Sequence, residues 1–167
     1  KIKNEEIYIF TYSYHQIYST SFNISKNNLF TGIGPKLFRI ECKNQIYYIN
    51  RNFDYPGENS WDPSTNGCST HPHNTYLQLL VETGIFGLIL IFLIFIIVTF
   101  GMFKSLYDYY VKYNSKKIYI FFLYLSIFIT LFPFQPSGSF FNNWNSIIYY
   151  LPVGFLLKEI YIEKKYY

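Results

Sequence analysis

From Ile85 to Phe103 the chain runs for nineteen residues without a charge. As a helix rising about 1.5 Å per residue, this run is roughly 28 Å long, close to the hydrocarbon thickness of a bilayer. A buried helix of a soluble domain does not need so long an unbroken apolar surface, so the run reads as a membrane span. A second uncharged run, Ile118 to Phe134, has seventeen residues and sits at the lower limit for a span. Phe132-Pro133-Phe134-Gln135-Pro136 ends it, because each proline lacks a helical donor and pushes the preceding residue to extended geometry. A third run, Trp144 to Leu157, contains Asn145 and Pro152, and Lys158 at its end must snorkel.

Charge in the connections sets an orientation. Lys104, Lys112, Lys116 and Lys117 lie between the first two runs against one acid, Asp108, and Lys158, Lys164 and Lys165 follow the third. The turn from Gln135 to Asn143 has no charge. Positive charge is retained on the cytoplasmic side, so both basic segments read as inside. Residues 1–84 then read as outside, which in a bacterium is the periplasm or cell surface. Residues 1–14 hold no apolar run long enough for a signal peptide. An exported segment therefore needs an earlier span, and the chain is expected to be a C-terminal fragment of a larger multispanning protein. The expected fold class is all-α, a polytopic integral membrane protein fragment. A periplasmic segment with short helices (1–84) leads into three transmembrane helices within 85–167, at about 85–103, 118–134 and 144–157.

Composition narrows the function classes. Half of the residues are hydrophobic, 14% are charged and 23% are aromatic, which excludes a disordered tail and a collagenous repeat. A net charge of +4, scattered along the chain, gives no footprint for nucleic acid. Two cysteines cannot build a Cys-rich metal module. Both, Cys42 and Cys68, fall in the exported segment, where an oxidising compartment favours a disulfide that would contribute about 3–4 kcal/mol.

The exported segment reads as a partial helical stripe from Tyr14 to Asn27, then a Gly32-Ile33-Gly34-Pro35 turn. Pro35 suits the first position of a short helix reaching about Lys43, and residues 44–68 read as irregular loop. The densest polar cluster follows, from Cys68 through Ser69-Thr70-His71-Pro72-His73-Asn74. Asn74 or Thr75 can cap a helix with Leu77, Leu80, Val81 and Gly84 on one face and Asn74, Gln78 and Glu82 on the other. Gly84 and Gly87 form a small-residue stripe where another helix could approach.

His73-Asn74, nine residues, then Gly84-x-x-Gly87 at the entry to a span resembles the signature of the O-antigen ligase and polymerase superfamily. Asn28-Leu29-Phe30-Thr31-Gly32-Ile33-Gly34-Pro35-Lys36-Leu37-Phe38-Arg39 is similar to the start of that family's large periplasmic loop, and Phe140-Phe141-Asn142-Asn143-Trp144 resembles ligase-like members. The resemblance covers roughly residues 15–157. It implies a multi-pass protein of the bacterial inner membrane, with no cofactor. Its partners would be the membrane, an undecaprenyl-diphosphate-linked glycan donor, and a lipid A-core or other glycan acceptor. The activity implied is a metal-independent, inverting glycosyl transfer that also needs the helices preceding this fragment. The alternatives are an O-antigen polymerase of the same superfamily or a non-catalytic component of polysaccharide export.

A polyprenyl diphosphate is already a good leaving group. The protein must shield its charge, which suits Arg or Lys, and must help remove a proton from the acceptor hydroxyl, which suits a neutral His. His73 is the candidate base. His71 is a substrate contact whose ring is expected to point away from His73 across Pro72. Arg39, with Lys36 one helical turn before it, is the candidate diphosphate contact. Asn74 and Glu82 complete the substrate-binding set, Glu82 either orienting His or pairing with Arg. Read blandly, Glu82 is a helix-surface acid, Arg51 a solvated charge and Trp61 a residue without a reason to stack on sugar. A zinc site from Cys68, His71 and His73 lacks a fourth ligand and standard spacing, so no metal is assigned.

Overall fold

The computed structural model describes residues 11–47 and 67–166. Arg51 and Trp61 lie outside the described residues, as does most of the expected irregular loop. All regular elements among the described residues are helical. They are α1 (Tyr12–Asn27), α2 (Phe38–Glu41), a 3-10 turn (Gln45–Tyr47), α3 (Thr75–Lys112), α4 (Lys116–Thr130) and α5 (Asn143–Tyr166). The chain divides into two compact units, Lys1–Leu88 and Ile89–Tyr167.

In the first unit, Ile17 and Ile24 of α1 join Phe38, Cys42, Tyr47, Cys68 and Val81 in one buried cluster. The inner face of α1 also carries Gln16, Thr20, Ser21 and Ser25, all buried. Two of these hydroxyls are satisfied locally, Ser21 donating to the Ile17 carbonyl at 2.7 Å and Ser25 to that of Phe22 at 2.8 Å. A short polar side chain that bonds its own helix backbone can enter a core without an orphaned donor. At the end of α1 the Asn28 amide donates to the Ile24 carbonyl.

The helix expected from Pro35 starts only at Phe38. Lys36 has a φ of 64°, in the left-handed region, and this breaks the path from Pro35. The stripe expected of Gly84 and Gly87 is also a different feature. Gly84 sits at φ 75° and ψ −166°, a combination essentially restricted to glycine, and it kinks α3. The kink exposes carbonyls that the loop after α1 collects. Ile33 and Gly34 donate to the Val81 and Glu82 carbonyls, each at 2.9 Å, and Ile85 donates to the Leu29 carbonyl at 2.7 Å. A Cβ on Gly84 would fall on the Phe30 carbonyl, and one on Gly87 would meet the Thr83 side chain. Gly84 thus serves the kink and the loop clasped on it, while Gly87 leaves room for the Thr83 side chain of its own helix.

In the second unit α4 and α5 pack against each other and run antiparallel, as the ion pair of Lys117 at the start of α4 with Glu163 near the end of α5 requires (2.6 Å). Phe95 of α3 stacks on Phe128 of α4 at 5.2 Å, and Gly101 faces the Tyr124 ring. Thr99, Ser105, Ser126 and Thr130 each donate to a carbonyl of their own helix, so their hydroxyls are not left unsatisfied. Among the described residues one helix, α3, is long and apolar enough to cross a membrane. α4 has 15 residues and ends at Thr130, short of the expected Phe134, while α5 has 24 and carries Pro152 within it.

Candidate functional site

The residues that carry polar chemistry gather where the segment 67–74 meets α3. Asn74 is the N-cap: its Oδ1 accepts from the Tyr76 and Leu77 backbone N–H groups at 3.0 and 3.1 Å. Two of the helix's otherwise orphaned donors are thereby satisfied. The residue before it, His73, has a φ of 54°, a left-handed conformation that L residues other than glycine seldom adopt. That reversal turns the imidazole back toward its neighbours. His71 and His73 ring centroids lie 4.1 Å apart with the planes inclined at 44°. The expectation that Pro72 would send the two rings apart is therefore corrected: extended geometry before a proline constrains His71, but the positive φ lies at His73, after it.

Each ring has a hydroxyl partner. Ser69 Oγ is 2.9 Å from His73 Nε2, and Thr70 Oγ1 is 2.9 Å from His71 Nδ1. The Tyr14 ring of α1 meets His73 edge-on at 5.9 Å. Burial, and secondarily the proximity of His71, hold the His73 imidazole below the usual histidine range. Both causes disfavour the imidazolium, so His73 is biased toward the neutral form that can accept a proton.

Glu82 is not a helix-surface acid. It is 1% exposed; its Oε2 accepts from Gln78 Nε2 at 3.1 Å and its Oε1 from the Phe38 backbone N–H at 3.4 Å. The i, i+4 spacing brings Gln78 and Glu82 together, and the start of α2 arrives from a distant stretch of sequence. Glu82 thus anchors α2, and among the described residues it bonds to no histidine or arginine. That one-turn helix is pinned twice more, by fully buried Phe38 and by the disulfide between Cys42 and Cys68, whose Cα atoms are 5.1 Å apart. Arg39 and Lys36 are exposed, Arg39 on this pinned turn and Lys36 at the positive-φ position before it. The disulfide links the α2 turn, three residues after Arg39, to the segment that begins three residues before His71. It also removes Cys68 from any ligand set, since a disulfide sulfur is not a thiolate. The described residues contain no group of three or more His, Cys, Asp or Glu placed to hold a metal ion.

Ser69, Thr70 and Tyr14 are site residues that sequence reasoning did not single out. Ser69 had a faint signal, four residues before His73 inside the densest polar cluster. Tyr14 had none, because its approach depends on how α1 packs.

The family described as O-antigen ligase matches residues 12–92. Over this stretch the chain is similar to the O-antigen ligase family. The matched stretch takes in α1, the clasped loop, α2, the histidine segment and the kink into the apolar part of α3. No curated protein and no solved structure matches the chain. That likeness suggests an O-antigen ligase or polymerase-like function, and in general terms glycan and lipid-linked substrates.

Proposed function

We propose that this O-antigen ligase-like chain belongs to a metal-independent, inverting glycosyltransferase of the bacterial inner membrane. It would move a glycan from undecaprenyl diphosphate to a lipid A-core or similar acceptor at the periplasmic face. Residues 1–84 lie on that face in this reading, and the three apolar runs cross the bilayer. The pairing of Lys117 with Glu163 supports the topology, because it keeps both basic connections at one end of the helical unit.

The observation that carries the reading is the neutral-biased imidazole of His73, held by Ser69 and His71 just before the helix that leads into the apolar run. His73 accepts the proton of the acceptor hydroxyl as its oxygen attacks the anomeric carbon. The bond to the diphosphate oxygen breaks on the opposite side, which inverts the configuration. Arg39 and Lys36 neutralise charge on the departing diphosphate, with His71 and Asn74 lining the acceptor side and Glu82 holding the α2 turn that presents Arg39.

The test is a transfer assay in the full-length enzyme with His73→Ala and Arg39→Ala. Loss of a positioned base lowers turnover by about 10²–10⁴-fold. Because the His73 pKa is lowered, the acid limb of the rate profile falls below the ordinary imidazole value, and His71→Ala moves that limb upward. The same shift makes stability fall as pH drops through the imidazole range, because the unfolded chain then binds more protons than the folded one. Unchanged transfer in His73→Ala would show that the base lies elsewhere.

A further inference from the structure

The loop that clasps the kink also bears a patch with no role in the site. Leu29 accepts a hydrogen bond from the N–H of Ile85, the first residue of the uncharged run, and the Phe30 carbonyl lies against Gly84. The backbone of Leu29 and Phe30 is therefore fixed at the level where the apolar run begins. Their side chains stay outside the core: Phe30 is 68% exposed and Leu29 42%, beside Phe86 at 64%. An exposed cation, Lys26 in the last turn of α1, flanks this tip.

We infer that Leu29-Phe30 is an in-plane membrane anchor. The tip inserts at the boundary between acyl chains and headgroups of the leaflet that Ile85 enters, and Lys26 reaches headgroup phosphates. Lipid is the occupant because the patch continues directly, through the Leu29–Ile85 hydrogen bond, into the surface of the apolar helix. Gly84 makes this possible: without a Cβ at the kink, loop and helix entry close into one rigid lip. The inference rests on Ile85–Phe103 as a span and is independent of the His73 chemistry.

The experiment reconstitutes the full chain, in a Trp61→Phe, Trp144→Phe background, into phosphatidylcholine–phosphatidylglycerol vesicles. Phe30→Trp and, separately, Leu93→Trp report depth by fluorescence, and protection of Cys42 and Cys68 from alkylation reports that the first unit is folded. The expected result is a blue-shifted Phe30→Trp emission that loses most of its intensity to lipids brominated near the headgroup end and little to aqueous iodide. Leu93→Trp loses most of its intensity to lipids brominated deep in the chain. Iodide quenching of Phe30→Trp with Leu93→Trp still lipid-quenched overturns the anchor alone. Shielding of Phe30→Trp from both quenchers also overturns it, since a protein surface then covers the tip. If neither tryptophan responds to brominated lipid, the span itself is wrong.

Discussion

Up to Leu88 the interior holds Gln16, Thr20, Ser21, Ser25, Gln78 and Glu82; after Ile89, among the described residues, the buried polar ones are Ser105 and Asp108. Beyond Ile89, Leu90, Leu93, Ile97 and Phe100 on α3, and Ile147, Ile148 and Leu151 on α5, are exposed. The first unit is held by a disulfide, a carboxylate bound to a distant backbone amide, and loop hydrogen bonds onto a kinked helix. The second is held by helix contacts and aromatic stacking, and Thr99, Ser105, Ser126 and Thr130 return their hydroxyls to their own helices. An interior with paired polar groups suits a segment in water. A surface of aliphatic side chains with hydroxyls folded back suits hydrocarbon, where an unsatisfied donor costs several kcal/mol.

Perturbations should therefore stay within the unit they strike. Replacing Cys42 and Cys68 by Ser opens a closure spanning 26 residues and should cost about 3–4 kcal/mol. Pulse proteolysis should register the loss between residues 11 and 88 while helix content beyond Ile89 is unchanged; equal weakening of both would break the comparison. Gly84→Ala forces a Cβ onto the Phe30 carbonyl at a glycine-only backbone geometry and should cost about 1–3 kcal/mol. Hydrogen exchange should then accelerate at the amides of Ile33, Gly34 and Ile85, whose partners lie across the kink. Asn74→Ala removes the cap of α3 and should cost about 1 kcal/mol, read as fraying of the first turn only. In the second unit, Lys117→Ala removes a partly exposed ion pair and should change stability by about 0–1 kcal/mol, diminishing in high salt. A larger effect there would mean that the pair fixes the register of α4 on α5.

Several features were legible in the residues alone because their causes are local. A nineteen-residue uncharged run marks a helix long and apolar enough to cross a membrane, and Asn before an apolar-periodic stretch marks a cap. His73, Asn74 and Gly84 were recognisable as one pattern, and that pattern led to the superfamily. Other readings failed where a single backbone angle mattered. Lys36 and His73 both adopt positive φ, which moved the start of α2 and brought the two imidazoles together. No periodicity in a sequence reports such an angle at a non-glycine position.

Sequence by itself determined the division of this protein into a polar segment and a lipid-compatible one, since charge and apolar length act through solvent and need no partner. It also supplied the histidines, carboxylates and cations of the polar segment. Only tertiary structure decided which of them work together. Glu82 became an internal anchor because the α2 amide arrived beside it, and Gly84 became a kink because the loop after α1 offered the donors that its freed carbonyls required. Those choices depend on groups far apart in the chain, and their free energies appear only when the chain has closed around them.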